Sequence, residues 1–276
     1  IVTNLINMKI AKLNLDGRTT WAKVVSENQA VKLPDDFSLA DWKGFEPFTG
    51  STFEINRNKL VAPALPTSKI ICIGKNYADH AAEMGGAVPE LPIIFSKYPT
   101  ALNGPYSEIV LPKISHQVDY EAELVVVVGK RAKDIPQENA MAHVLGYTCG
   151  NDVSARDWQK GRPGGQWLVG KSFDTFAPIG PWITTADEVP DPGQLNVTSR
   201  LNGKVMQDAS TRLLIYPIEH LVSYLSQFFT LDVGDLIFTG TPAGVGAGRT
   251  PPVFLKSGDQ IEVTVSGLGT ISNRCV

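Results

Sequence analysis

Cysteine and histidine are scarce in this chain, and no stretch of it is long and apolar enough to span a bilayer. Among 276 residues there are three cysteines, Cys72, Cys149 and Cys275, and four histidines. The cysteines are odd in number, far apart and in no CxxC spacing, which argues against a disulfide framework and against a thiolate zinc site. A reducing, cytoplasmic compartment is the resulting expectation, with a mitochondrial one left open if the true N-terminus differs. No apolar run approaches the ~20 residues of a membrane-spanning helix, and no basic segment leads into an apolar one with a cleavage site. An excess of one charge is lacking too: 25 Lys and Arg stand against 28 Asp and Glu, for a net charge of -3. Scattered as they are, these charges leave no footprint for nucleic acid or for an anionic membrane. There is no GxSxG elbow, which removes the usual serine hydrolase reading. The glycine-rich "TGTPAGVGAG" at 239–248 ends without GK[ST], so it is not a nucleotide phosphate loop, although close backbone approach around Thr241 stays open.

With 43% apolar and 19% charged residues, the chain can bury a core sufficient for one large domain, or one large and one small. Residues 1–7 precede the first methionine, Met8, and are read as an extension. From Met8 apolar and polar residues alternate around the turn signals Asp16-Gly17 and Glu27-Asn28, a β-meander in outline. The proline-punctuated "VAPALP" marks a boundary near residue 66. Residues 8–66 then form a small N-terminal α+β domain and residues 67–276 the larger one. Beyond the boundary come many short β runs: "KIICIG", "PIIFSK", "EIVLP", "DYEAELVVVVG", "LGYTCGND", "QLNVTSRLNG", "GDLIFTG" and "DQIEVTVSGLG". Helical spacing predicts only 77–84, 137–144, 153–160 and 217–229. So many strands and so few helices predict a mixed, β-rich roll or sandwich rather than a repeating βαβ sheet.

The acidic strand "VDYEAELVVVVGK" carries two carboxylates into an apolar run. Period-2 alternation puts Glu121, Glu123, Val125 and Val127 on one face and Tyr120, Ala122, Leu124, Val126 and Val128 on the other. Valines on both faces suggest a strand covered on both sides, where an unpaired carboxylate costs several kcal/mol, roughly. With Asp152 of "GYTCGNDVSARDW", the two glutamates make an all-oxygen set that favours Mg2+ or Mn2+ over zinc. The alternative open at this point is that both glutamates face solvent at a sheet edge and Asp152 caps a helix beginning at Val153.

Two further groups can carry chemistry. In "GKNYADHAAEMGG" His80 and Glu83 share a helix face, and a carboxylate that fixes an imidazole's tautomer makes a general base; an exposed His–Glu pair is the alternative. The glycine and proline residues that follow suit a mobile lid. Lys171, alone in "WLVGKSFDTFAP", can stabilise an enolate, take part in proton transfer, or serve as counterion to buried carboxylates.

Taken together, "GKNYADHAAEM", "FSKYPTAL", "DYEAELVVVVGK", "GYTCGNDVSARDWQ", "GKSFDTFAPIGPW", "NGKVMQDAST" and "GDLIFTGTPAGVG", in this order, resemble the fumarylacetoacetate hydrolase family, and most of all its domain-containing protein 2 and acylpyruvase-like branch. The resemblance implies that family's β-roll, a homodimer, and Mg2+ or Mn2+ held by Glu121, Glu123 and Asp152. It implies catalysis by His80, Glu83 and Lys171, and a substrate pocket with Lys97, Arg156, Gln159, Gln207 and Thr241. Lys75 stands where many relatives have arginine. The implied substrates are 2-oxo and 2,4-dioxo acids, and the implied reaction is hydrolysis of a carbon–carbon bond of an acylpyruvate, fumarylpyruvate or diketo-deoxysugar acid. Pyruvate and a second acid would be the products. Decarboxylation or keto–enol tautomerisation of oxaloacetate, and hydration or isomerisation of a 2-oxo-diene acid, are the rivals. A catalytically silent metal-binding member is the non-enzymatic alternative.

Overall fold

The computed structural model of the chain describes residues 8–40 and 50–276. The extension read at residues 1–7 lies outside the described residues, as do residues 41–49. Where the sequence signals a meander, strands Lys9–Leu15, Arg18–Ser26 and Gln29–Lys32 pair antiparallel in succession. Asp16 and Gly17 between the first two hold φ of 51° and 84°, the left-handed pair that a two-residue hairpin turn requires. Strand Lys9–Leu15 also pairs with strand Ala177–Thr185, through Lys9 and Ile10. The N-terminal strands thus extend the large sheet, while Ala11, Leu13, Ala22 and Leu60 keep an apolar cluster of their own. Among the described residues before 66, helical structure is limited to the short 3-10 turn Arg57–Lys59.

From that edge the large sheet runs through Ala177–Thr185, Val144–Asn151, Ala122–Val128, Leu236–Phe238, Ile70–Gly74 and Ile93–Lys97. A four-stranded antiparallel sheet, formed by Asn196–Leu201, Lys204–Ser210, Gln260–Val265 and Gly269–Arg274, packs against it. Strand Ala122–Val128 lies between two neighbours, Val144–Asn151 and Leu236–Phe238. Its Ala122, Leu124, Val126 and Val128 join the cluster made with Val197, Val263 and helix Ile218–Phe228, whereas Val125 and Val127 join Ile10, Ile109 and Phe176. Cover on both faces explains the unbroken valine run.

Some sequence expectations need correction. "EIVLP" forms no strand, and Ile109 makes one bridge to Cys275. The acidic strand is two pieces, Val118–Asp119 and Ala122–Val128. Tyr120, at the break, packs in the cluster of Val125 and Val127 rather than with Ala122, because the irregular link resets the alternation. The helix expected at 153–160 starts only at Arg156, after the short strand Ser154–Ala155. Helix Trp167–Lys171 and strand Ala177–Thr185 had no periodic signal strong enough to read. Helix Ile218–Phe228 forms as expected, burying Ile218, Leu221, Val222 and Leu225 at helical spacing. All three cysteines are free and buried.

Candidate active site

The break between Asp119 and Ala122 is where the site begins. Asn151 Oδ1 accepts the Glu121 amide at 3.0 Å and the Asp152 amide donates to Glu121 O at 2.9 Å, so Asp152 leaves the end of strand Val144–Asn151 directly beside Glu121. One carboxylate oxygen from each of Glu121, Glu123 and Asp152 lies within 4.8 Å of the others, and all three residues are buried. Both bland readings fall: Glu123 is on a central strand and Glu121 in the break just before it, both buried, and Asp152 precedes the nearest helix by four residues.

Lys171 delivers the positive charge that such a strand demands. Its Nζ donates to Glu121 Oε2 at 2.7 Å and to Asp152 Oδ2 at 2.6 Å. Burial alone would lower this ammonium, but Asp152 and Glu121 more than offset that and hold it above its ordinary value. Arg156 Nη2 lies 2.6 Å from Glu121 and 2.9 Å from Asp119. Burial would raise Glu121, yet Lys171 and then Arg156 prevail and keep it well below the usual carboxylate range. Glu123 differs. It is 1% exposed, accepts the Gly240 amide at 2.8 Å, and forms no ion pair among the described residues. Burial first, then the charges of Asp152 and Glu121, push it well above the usual carboxylate range. A buried carboxylate without a cation, converging with two others, fits a hard divalent ion.

Helix Ala78–Glu83 carries His80 and Glu83 to the same place. His80 is 5% exposed, and its Nδ1 lies 3.3 Å from Glu83 Oε2, which leaves Nε2 for the cavity. Glu83 Oε1 accepts the Gly244 amide at 2.9 Å, so the helix is docked on the glycine-rich loop. That loop binds anions after all, but those of the protein itself: Gly240 serves Glu123, Gly244 serves Glu83, and Gly246 and Ala247 serve Asp119 at 2.7 and 3.0 Å. Gly240 and Gly244 hold φ of 106° and 108°, a backbone that side-chain-bearing residues avoid.

The cavity is lined by His80, Glu121, Glu123, Arg156, Gln159, Lys171 and Thr241, with Ile73, Met84, Phe95 and Trp167 supplying apolar wall. Two residues expected in the pocket stand behind it. Lys97 Nζ donates to the carbonyls of Val153, Lys171 and Phe176 at 2.9, 2.6 and 2.8 Å, while lying 2.7 Å from Asp152 Oδ1. Its three protons are spent, so it braces the wall and the triad. Gln207 is likewise saturated. It accepts from the Ala122 amide and Ser199 Oγ and donates to Thr241 Oγ1 at 2.6 Å and to Pro242 O at 2.8 Å. Sequence reasoning missed Asp119, although it stands two residues before Glu121 in the same period, and missed Lys160, the residue after Gln159.

Fold and site together define a β-rich enzyme scaffold with an acidic triad suited to a hard cation beneath a His–Glu pair. The profile "Fumarylacetoacetate (FAA) hydrolase C-terminal" matches residues 69–276, and the chain belongs to the fumarylacetoacetate hydrolase family of enzymes. It is 52% identical over 217 residues to oxaloacetate tautomerase FAHD2A, mitochondrial, of Bos taurus, covering 79% of this chain and 69% of that protein. It is 51% identical over 229 residues to the fumarylacetoacetate hydrolase domain-containing protein 2 homolog of Dictyostelium discoideum, covering 80% and 75%. Among solved structures, fumarylacetoacetate hydrolase from Exiguobacterium antarcticum superposes with TM-score 0.85 at 37% identity over 97% of this chain and 99% of that one. A 2-hydroxyhepta-2,4-diene-1,7-dioate isomerase from Mycobacterium marinum gives 0.81 at 36%, over 98% of each. Several relatives are mitochondrial by name, which lends no support to a cytoplasmic compartment. Among the described residues no helix is long and apolar enough to cross a membrane.

Proposed function

We propose that this chain is an oxaloacetate keto–enol tautomerase that works with Mg2+ or Mn2+ at the acidic triad. The observation that carries the reading is His80, steadied by Glu83, facing the same small cavity as Glu121, Glu123 and the Lys171 ammonium. When bound, a hard cation held by Glu121, Glu123 and Asp152 would supply Lewis-acid charge for the carboxylate and 2-oxo oxygens of the substrate. His80 Nε2 takes a proton from the methylene carbon beside the 2-oxo group. The C–H electron pair moves into the new carbon–carbon double bond, the carbonyl π pair moves onto oxygen, and the His80 imidazolium gives the proton back at that oxygen, leaving the enol and a neutral imidazole. Lys171 stays an ammonium between Glu121 and Asp152, so it offers fixed positive charge and hydrogen-bond donors rather than a base. Enolisation and hydrolysis therefore both draw on His80. The tautomerase names of relatives about half identical to the chain support this choice.

Hydrolysis of a 2,4-dioxo acid is the second reading, because a His–Glu pair of this kind also suits activation of water. A mitochondrial compartment accompanies the proposal by the names of relatives, and a homodimer by the family resemblance alone. Stopped-flow loss of the enol absorbance of oxaloacetate tests it. The parent should speed exchange in Mg2+, and His80→Ala should lose roughly 100-fold or more of that gain. A His80→Ala variant as fast as the parent refutes the mechanism, and rapid acylpyruvate cleavage without oxaloacetate exchange moves the reading to hydrolysis.

A further inference from the structure

Two cations at the cavity have been given no task. Lys75 and Lys160 both line it, and neither makes an ion pair or a side-chain hydrogen bond among the described residues. Lys171 and Arg156, by contrast, are committed to Glu121, Asp152 and Asp119. Lys75 sits at a φ of 54°, a left-handed backbone that costs a residue with a side chain about 1 kcal/mol or more. Its ammonium lies against Gly86, in the segment after helix Ala78–Glu83, where an added Cβ would collide with it. Lys160 follows helix Arg156–Gln159 as its C-cap, donating its amide to Arg156 O at 3.0 Å. Burial first, then the charges of Arg156 and Lys75, hold its amine below the ordinary value. Like charges kept together without a counterion are destabilising by themselves and favour an anion between them.

We propose that Lys75 and Lys160 form a second anion subsite that receives the distal carboxylate of a dicarboxylic 2-oxo acid whose other end lies at the acidic triad. The inference rests on the functional reading above and extends it, making the lysine pair the determinant that selects a short diacid over an acylpyruvate with an uncharged tail. Lys160 is exposed and Lys75 partly so, and both line the cavity with His80, Glu121 and Glu123, which sets the pair on the solvent side of the triad. An electrostatic pair at the mouth would also steer dianions inward at low ionic strength.

Calorimetric binding in Mg2+ separates the subsite from the reaction. L-malate serves as an unreactive dicarboxylate of the right length, and oxalate as an anion too short to span the cavity. In Lys75→Met and Lys160→Met, malate affinity should fall roughly tenfold for each lysine, with oxalate affinity holding near the parent value. Equal losses for both ligands, no loss for either, or an uncharged-tail acylpyruvate that binds the parent more tightly than malate would overturn the proposal. Oxaloacetate exchange by the parent is measured separately. If it is absent while malate alone is weakened, the tautomerase reading fails and the diacid subsite stands.

Discussion

Glu123 accepts the amide of Gly240 at 2.8 Å, and among the described residues this is the one hydrogen bond to a carboxylate crowded by Asp152 and Glu121. Its raised pKa makes folding pH-dependent in a defined direction. A carboxyl group whose folded pKa lies above its unfolded one stabilises the fold below the unfolded value and withdraws that stability as pH rises through the folded value. Without divalent cations, the Tm should therefore fall as pH climbs from the ordinary carboxylate range. Glu121 acts in the opposite sense, losing its contribution only in acid. Glu123→Gln should flatten the fall at higher pH, and a parental slope in that variant would count against the assignment.

Added Mg2+ or Mn2+ should restore stability on the alkaline side, by about 2.7 kcal/mol at a hundredfold excess over Kd. EDTA should abolish activity, with recovery on adding either ion. An enzyme indifferent to EDTA at equilibrium removes the triad from the chemistry.

Lys171→Met leaves Glu121 and Asp152 facing each other with their shared donor gone. Breaking a buried ion pair on one side costs about 3–5 kcal/mol, so denaturant midpoints should drop accordingly. A loss below about 1 kcal/mol would mean that water or another cation replaces the ammonium.

Glu83 has two jobs that substitution can separate. Glu83→Gln keeps an acceptor for the Gly244 amide but removes the charge beside His80. Its kcat should fall about 10- to 100-fold with KM little changed. Glu83→Ala also frees the helix from the loop, so KM should rise as well. Matching kinetics in the two variants would argue against an anchoring role.

Gln207→Leu strands the Ala122 amide and the Ser199 hydroxyl and releases Thr241 from one of its partners. A stability loss of about 1–3 kcal/mol is expected from the buried groups left without partners. If thermal unfolding shows no change, Gln207 is not the brace that its contacts describe.

Much of this was legible without coordinates. The charges set into the apolar alternation of "DYEAELVVVV" raised a buried acidic centre beside a solvent-facing edge as the two readings, and the i to i+3 spacing of His80 and Glu83 put them on one helix face, because both depend on local periodicity alone. Lys97 and Gln207 were assigned to the pocket through family likeness, yet both turn behind its wall. A side chain's direction depends on which carbonyls the neighbouring elements leave unsatisfied, and those carbonyls come from residues 56 to 79 positions away for Lys97. The glycine-rich loop was rightly denied a nucleotide, but its true anions, Glu83, Asp119 and Glu123, lie more than a hundred residues earlier.

By itself, then, the sequence determined most of the strands, the hairpin turn at Asp16-Gly17, the apolar face of helix Ile218–Phe228 and the acidic character of Glu121 and Glu123, since each follows from neighbours within a few residues. Only the tertiary structure decided that Lys171 would close on Glu121 and Asp152, that Glu123 would form no ion pair among the described residues, and that Lys75 and Lys160 would line one cavity. Those outcomes are set by burial and by distances between segments far apart in the chain, where electrostatic energies depend on position in space and not on order in the sequence.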